Sequence, residues 1–362
     1  MGQDMATALE RPMVDEEKLG ALVMKAVGDF GAALSTTMIS LGDRLGLYKA
    51  LAHGPATPAE LATRTGTVER YVREWLSANA AGGYVEYDAA SGTFSLSPEQ
   101  EIALVDETSP YCILGGFETF AAASRAEPAI AERFRTGEGF SWGSHDPRLF
   151  EGVERFFRPG YAANLVSSWI PALDGVEAKL RSGATVADVG CGHGASTIEM
   201  ARAFPNSTFV GFDGHAPSID RATQAAREAG VADRVRFEVA DASSFPGENY
   251  DLIAHFDCLH DMGDPDGAAR RVREALAPDG TWLIVEPFAG DRLEDNLNPI
   301  GRIFYAASTL ICTPHALSEG SDLPLGAQAG EGGIRKVVER AGFGRFRRAT
   351  ETPFNLVLEA RS

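Results

Sequence analysis

The sequence predicts an α/β protein with a mainly helical segment in front of it, and three observations carry that expectation. From Ala184 onward, short apolar runs alternate with stretches of helical periodicity, the pattern of an open, mostly parallel sheet covered on both faces. The first of those runs ends in a glycine-rich turn that opens a helix. Ahead of them, residues 20–100 read as helix, turn, helix and hairpin, a winged-helix module.

The elements follow in order. Residues 1–12 read as a loose arm. Between Asp15 and Ala52, apolar residues recur at helical spacing through Leu19, Leu22, Val23, Val27, Phe30, Leu41 and Leu45. After a turn at His53-Gly54-Pro55, Thr57 caps a helix with Pro58 at its first position and Glu60 completing a capping box; Gly66 ends it. A second helix runs from Val68 to Ala80 and stops at Gly82-Gly83. The runs Tyr84–Tyr87 and Thr93–Leu96 then pair across a turn at Ala90-Ser91-Gly92. Residues 105–180 are helical and rich in aromatics. Strands are expected at 184–190, 208–213, 234–240, 250–257 and 280–287, with helices at 194–204, 217–229 and 265–277 between them. Helices at 299–312 and 332–341 and strands at 344–350 and 354–360 follow, which makes a seven-stranded sheet.

Composition narrows the function classes. The chain has 362 residues, long enough for two domains, and its 44% hydrophobic content supports a true core. Its 33 basic residues against 51 acidic ones give a formal charge of −18, which repels nucleic-acid phosphates and anionic membranes. No uninterrupted apolar run reaches the roughly 18–20 residues of a membrane helix. The four cysteines are far apart in the sequence, so a reduced, cytoplasmic protein is expected.

The glycine turn reads Asp188-Val189-Gly190-Cys191-Gly192-His193-Gly194. The glycines alone also satisfy a dinucleotide fingerprint, and they let a ligand approach the backbone in either case. Asp188 discriminates: at the strand tip it would repel a pyrophosphate and suits a ligand carrying ammonium and sulfonium charges. Asp213 ends the second strand, where a carboxylate can grip both ribose hydroxyls. Asp241 ends the third, in reach of an adenine amino group. Three acids at successive strand tips beside a glycine loop form a specific constellation.

With these residues and the fourth-strand segment Tyr250–His255, the chain resembles the class I S-adenosylmethionine-dependent methyltransferases over about residues 180–362. Its winged helix and helical connector are similar to the small-molecule O-methyltransferases, and nearest to an actinobacterial, mycobacterial-type group of this build. The resemblance implies a Rossmann-like seven-stranded sheet and S-adenosyl-L-methionine as cofactor, with a small-molecule methyl acceptor. It also implies homodimerisation through the N-terminal module. It divides the chain into a winged-helix dimerisation domain (1–104), a helical connector and substrate lid (105–180) and a catalytic domain (181–362). The cofactor residues it implies are Asp188, Gly190, Cys191, Gly192, Gly194, Asp213, Gly214, Asp241, Ala242, Phe256 and Asp257.

Methyl transfer needs alignment, exclusion of water and, for a weakly acidic acceptor, a base just beyond the fourth strand. The segment His260-Asp261-Met262-Gly263-Asp264 is similar to the His-Asp-Trp-x-Asp motif of plant-type O-methyltransferases, whose histidine is the base, with Met262 in place of the tryptophan. Glu286 matches the acid that orients that histidine. The family's second acid has no clean counterpart; Gln328 and Glu331 are both near. The lid supplies Trp142 and Tyr161, and the helix beyond the fifth strand supplies Phe304 and His315, as substrate residues.

No resident metal is expected, but His260, Asp261 and His315 offer a two-histidine, one-carboxylate set, the alternative being a metal-dependent C-methyltransferase of an α-keto acid. A winged-helix transcriptional regulator is a second alternative, opposed by the 8 basic against 13 acidic residues of the first 100. An NAD(P)-dependent dehydrogenase is opposed by Asp188.

Overall fold

The structure, a computed structural model, describes residues 13–362; the arm expected over residues 1–12 lies outside the described residues. The chain divides into two compact units, one ending at Gln100 and the other running from Glu101 to Ser362.

The first unit holds α1 (Glu16–Arg44), α2 (Leu47–Leu51), α3 (Pro58–Thr65), α4 (Glu69–Ala81) and the hairpin β1 (Glu86–Asp88) and β2 (Thr93–Ser95). The capping box on α3 forms as the sequence dictates: the Thr57 hydroxyl accepts from Glu60 N, and the Glu60 carboxylate accepts from Thr57 N at 2.7 Å. Trp75 is the centre of the small core. Its indole N–H donates to Met38 O at 2.8 Å, and Gly42 lies so close that a Cβ there would come within 2.3 Å of the ring. Most of α1 is not packed within the unit; Leu22, Val23, Val27, Phe30 and Leu34 are all exposed.

One expectation is corrected here. The 29-residue α1, with mean hydropathy 1.2 over its best window, is long and apolar enough to cross a membrane by length and composition. Lys25 and Asp29 break the apolar string, yet they pair with each other at 2.7 Å and leave the average high.

Helix α5 (Pro98–Leu104) runs across that boundary, and in the second unit α6 (Leu114–Ala123), α7 (Glu127–Thr136), α8 (Arg148–Asn164) and α9 (Val176–Ser182) precede the sheet. The sheet elements are β3 (Thr185–Val189), α10 (Ala195–Ala203), β4 (Thr208–Asp213), α11 (Ala216–Glu228), β5 (Val235–Val239), β6 (Tyr250–Phe256), α12 (Pro265–Ala275) and β7 (Leu276–Pro287). After α13 (Pro299–Ala307), α14 (Thr313–Ser318) and α15 (Gly330–Arg340), β8 (Arg345–Glu351) and β9 (Asn355–Arg361) close the chain. The strand order is β5-β4-β3-β6-β7-β9-β8, with β9 antiparallel to both its neighbours and the other pairs parallel. This is the seven-stranded, Rossmann-like α/β sheet that the alternation of elements predicts.

Alternation along each strand sends side chains to two cores. Leu252, Leu283 and Val357 join Trp169, Met200 and Phe204 on one face; Ile253, Ile284 and Leu358 join Ile334 and Val337 on the other. Two boundaries differ from the periodicity. Strand β7 begins at Leu276, which pairs with Tyr250 ahead of a register shift, so α12 ends sooner than expected. The single helix expected over 299–312 becomes α13, a π-helical turn at Ser308–Cys312, and α14. Pro314, which has no N–H to give to the preceding turn, stands just after that widened turn.

Candidate functional site

The parallel strands β3, β4, β5 and β6 end on one side of the sheet, and a cavity of about 740 Å³ opens there. Gly190, just after β3, has φ 75° and must be glycine on two counts. The left-handed backbone disfavours a side chain, and a Cβ would lie 2.6 Å from Cys258 Sγ. Gly192 (φ 51°) has nothing within 4 Å of its Cβ position, so its backbone faces open space in the cavity wall. Gly194 caps α10 with φ 79° and packs instead on Phe237, 2.5 Å from where a Cβ would sit.

The three strand-tip acids differ in their surroundings. Asp188 is fully buried behind the glycine loop. Its Oδ2 accepts from Ser196 Oγ and Thr197 Oγ1, both at 2.6 Å, while Oδ1 has no partner; burial pushes its pKa to about 6. Asp213 lines the cavity and accepts from the backbone N–H groups of Gly192 at 2.9 Å and His215 at 2.8 Å. Burial raises its pKa, against those hydrogen bonds. Asp241 is exposed at the rim and accepts from Ser243 N and Oγ. Elsewhere on the cavity wall, burial, with Arg221 and His215 nearby, lowers the His193 pKa to about 4. An orphaned acid oxygen, an open glycine backbone and a carboxylate at the next strand tip form a donor set that fits the amino acid and ribose parts of S-adenosylmethionine.

Beyond β6, Asp257 adopts φ 51°, accepts from Asn355 Nδ2 at 2.9 Å and from Tyr161 OH at 3.3 Å, and is pushed well above the usual carboxylate range by burial. His260 and Glu286 form a buried pair. His260 Nδ1 lies 2.5 Å from Glu286 Oε2, and Glu286 Oε1 accepts from Leu259 N at 3.0 Å. Burial opposes charge on the imidazole, but the carboxylate outweighs it and holds the His260 pKa well above the ordinary value. The Cys312 thiol contacts the same ring.

Of the residues singled out in the sequence, Gly190, Cys191, Gly192, Asp213, Gly214, Asp241, Ala242, Phe256, Asp257, Trp142, Tyr161 and His315 line the cavity. Asp188, Gly194, His260 and Glu286 stand behind its wall, with Asp261 and Met262 as the wall in front of the His260 pair. Phe304 packs in an apolar cluster with Ala122, Leu149 and Ile311. Among the described residues the donor atoms of His260, Asp261 and Cys312, not of His315, lie within 4.8 Å of one another. The π-turn brings Cys312 to that point and leaves His315 a turn further on, at the cavity.

Several lining residues escaped the sequence reading. Phe150 and Phe157 stood out only as aromatics, and Phe150 lies 4.7 Å from the His215 ring. Glu319, one helical turn past His315, has Oε1 at 3.6 Å from His315 Nε2; that i,i+4 spacing was the available signal. The segment 139–142 is strapped onto α14. Phe140 N donates to Pro314 O at 2.7 Å, Trp142 N donates to His315 Nδ1 at 3.3 Å, and Gly139 leaves no room for a Cβ against Ser318.

Residues 180–323 match the family described as methyltransferase domain, and residues 32–105 match the family described as Rv2258c-like winged HTH domain. The chain is 36% identical over 104 residues to 27-O-demethylrifamycin SV methyltransferase of Amycolatopsis mediterranei (strain S699), covering 28% of this chain and 38% of that protein. Against the first three curated relatives the matches span 23% to 42% of the relative's length. Among solved structures, the mitomycin 7-O-methyltransferase MmcR superposes with a TM-score of 0.70 at 22% identity, covering 96% of this chain and all of that one. Human N-acetylserotonin methyltransferase in complex with SAM gives 0.67 at 17%, covering 94% and 97%. At such identities the likeness of structure is one of fold.

Proposed function

We propose, from the premise that the chain carries a methyltransferase domain behind an Rv2258c-like winged HTH domain, that it methylates an oxygen of a small molecule with S-adenosylmethionine as donor. The bound cofactor supplies a methyl group on a sulfonium, which is its own good leaving group. Gly190, Cys191 and Gly192 present backbone to it, Asp213 takes the ribose, Asp241 and Ala242 flank the base, and Asp188 supplies negative charge toward the ammonium end. Phe256, Asp257 and Gly214 complete that wall, with Gly194 holding the loop's exit into α10.

The observation that carries the catalytic reading is the His260–Glu286 pair, buried directly behind the cavity wall at the end of β6. We assign His260, in its neutral form, as the base that receives the acceptor's proton, and Glu286 as the carboxylate that orients the ring and holds the imidazolium so formed. Trp142, Tyr161 and His315 face the acceptor, with Phe304 supporting them from behind; water is excluded by the strap on α14.

The roles of the remaining parts follow. Residues 1–104 serve dimerisation, 105–180 connect and cover, and 181–362 bind cofactor and catalyse. Homodimer formation is supported by the exposed apolar residues of α1. Nucleic acid is disfavoured as a partner, because Arg70 and Arg73 of α4 are each paired to Glu74 and Glu69 of the same helix. A reducing, cytoplasmic setting is supported by four cysteines that form no disulfide among the described residues.

The first test is calorimetric titration with S-adenosylhomocysteine, with NAD as the paired control. Micromolar binding of the former alone is expected; binding of NAD, or of neither, overturns the reading. In a screen of hydroxylated aromatic acceptors, His260→Ala is expected to spare S-adenosylhomocysteine binding and to lower turnover about a hundredfold or more. Unchanged turnover discards the base.

A further inference from the structure

The acceptor half of the cavity has an electrostatic character that the cofactor does not account for. Its walls are Trp142, Phe150 and Phe157, and its acids are Glu154, Asp261, Asp264 and Glu319; among the described residues lining the whole cavity there is no Lys or Arg. Two of these acids are answered from outside the cavity: Glu154 by Arg158 at 3.4 Å and Asp264 by Arg270 at 3.7 Å. Asp261 and Glu319 have no such arginine. Glu319 spends Oε2 on the backbone N–H of Gly263 at 2.8 Å and holds Oε1 at 3.6 Å from His315 Nε2. Asp261 is charged at a cost, since burial and the neighbouring Glu286 and Glu319 carboxylates push its pKa to about 6 while His260 and His315 pull it down. Asp261 and Glu319, which feel each other's charge on the wall of a cavity also lined by aromatics, form a site short of one positive charge.

We propose that the acceptor is a hydroxylated aromatic molecule carrying a protonated amine, its ring between Trp142 and Phe157 and its ammonium met by Asp261 and Glu319. This rests on the methyltransferase reading and adds the chemical class of the acceptor. An acceptor carrying a carboxylate or phosphate finds no cation in the wall and meets like charge at both ends. The α-keto acid alternative is therefore disfavoured by the same residues. Stacking of a cationic aromatic on Trp142 adds to the preference.

Three matched probes test it on the full chain saturated with S-adenosylhomocysteine at about pH 8, where free imidazole is uncharged. Tyramine, 4-ethylphenol and 3-(4-hydroxyphenyl)propanoate share one ring and differ in charge. Ligand-observed NMR titration is expected to show tyramine binding at least about tenfold more tightly than the propanoate, with 4-ethylphenol between them. Glu319→Gln and Asp261→Asn are each expected to cut that ratio by about threefold or more, with S-adenosylhomocysteine affinity retained. A propanoate that binds as well as tyramine overturns the proposal. So does a ratio that neither variant changes, or a failure of all three probes to bind the loaded protein. Loss of S-adenosylhomocysteine binding by the wild type is a separate result, and it removes the underlying methyltransferase reading.

Discussion

Replacing Glu286 with glutamine should reverse the sign of the His260 contribution to the pH dependence of stability. Glutamine keeps the shape and the acceptor for Leu259 N, and removes only the charge 2.5 Å from His260 Nδ1. In the wild type the carboxylate raises the folded-state pKa of His260 above its unfolded value near 6.5. That contribution to stability is fully present below about pH 6.5 and is lost as pH rises through the folded pKa. A hydrogen bond to a charged group contributes about 1.5–3 kcal/mol, or between one and two pKa units at 1.36 kcal/mol each. In the variant, burial is unopposed and the imidazole pKa falls below 6.5, so its contribution to stability now drops as pH falls. Urea unfolding of both proteins between about pH 5.5 and pH 9 reads the pair, together with Asp257 and Asp261, whose carboxyl pKa values Glu286 helps to raise. The difference between them should be roughly 2–4 kcal/mol at the acid end and should shrink by at least about 1.4 kcal/mol toward the alkaline end. A difference that stays constant across the range refutes the coupling.

Other outcomes follow from the geometry. Gly190→Ala adds a strained φ and a clash with Cys258 Sγ, together about 2–4 kcal/mol; Cys258→Ala in the same chain should restore the clash part but not the backbone part, read by a double-mutant cycle. S-adenosylhomocysteine affinity should weaken as pH falls below about 6, where buried Asp188 takes up a proton, and Asp188→Asn should abolish that dependence in calorimetry. Phe30→Asp together with Leu34→Asp on the exposed stretch of α1 should turn a dimer into a monomer by light scattering, with the thermal midpoint of the monomer little changed, because neither side chain is buried within its unit.

Much of the fold was legible because local signals agreed with the global one. The Thr57–Glu60 capping box, the glycine stops and the strand-helix alternation each fixed an element that tertiary packing had no reason to override. The glycine loop and its acids were legible for the same reason, since position at a strand tip determines what a carboxylate can reach. The acceptor side was not. Whether Cys312 or His315 meets His260 depends on a π-helical turn that shifts the residues at and beyond it by part of a turn, and whether Phe304 faces cavity or core depends on how α13 packs against α6 and α8. Nothing in the local sequence except Pro314 hints at the π-helical turn. Glu154 and Glu319 were hidden because surface-style charges on amphipathic helices look alike until the fold shows which face closes a cavity. The apolar length of α1 was masked by Lys25 and Asp29, which an average forgives and an uninterrupted run does not.

The hydrogen bond from Asn355 to Asp257 has a consequence for when this protein becomes competent. Asp257 stands at the end of β6, while its partner arrives 98 positions later on β9, the strand that must slot antiparallel between β7 and β8. The parallel strands β3 to β6 can assemble from nearer contacts, and a cavity wall of sorts forms with them. Tyr161 holds one oxygen of the Asp257 carboxylate, and closure of the far edge is needed to hold the other, so ligand capture is tied to a highly non-local pairing in the sheet. A folding experiment that follows ligand binding therefore times the completion of the whole sheet, and intermediates lacking the β8–β9 edge remain silent to it.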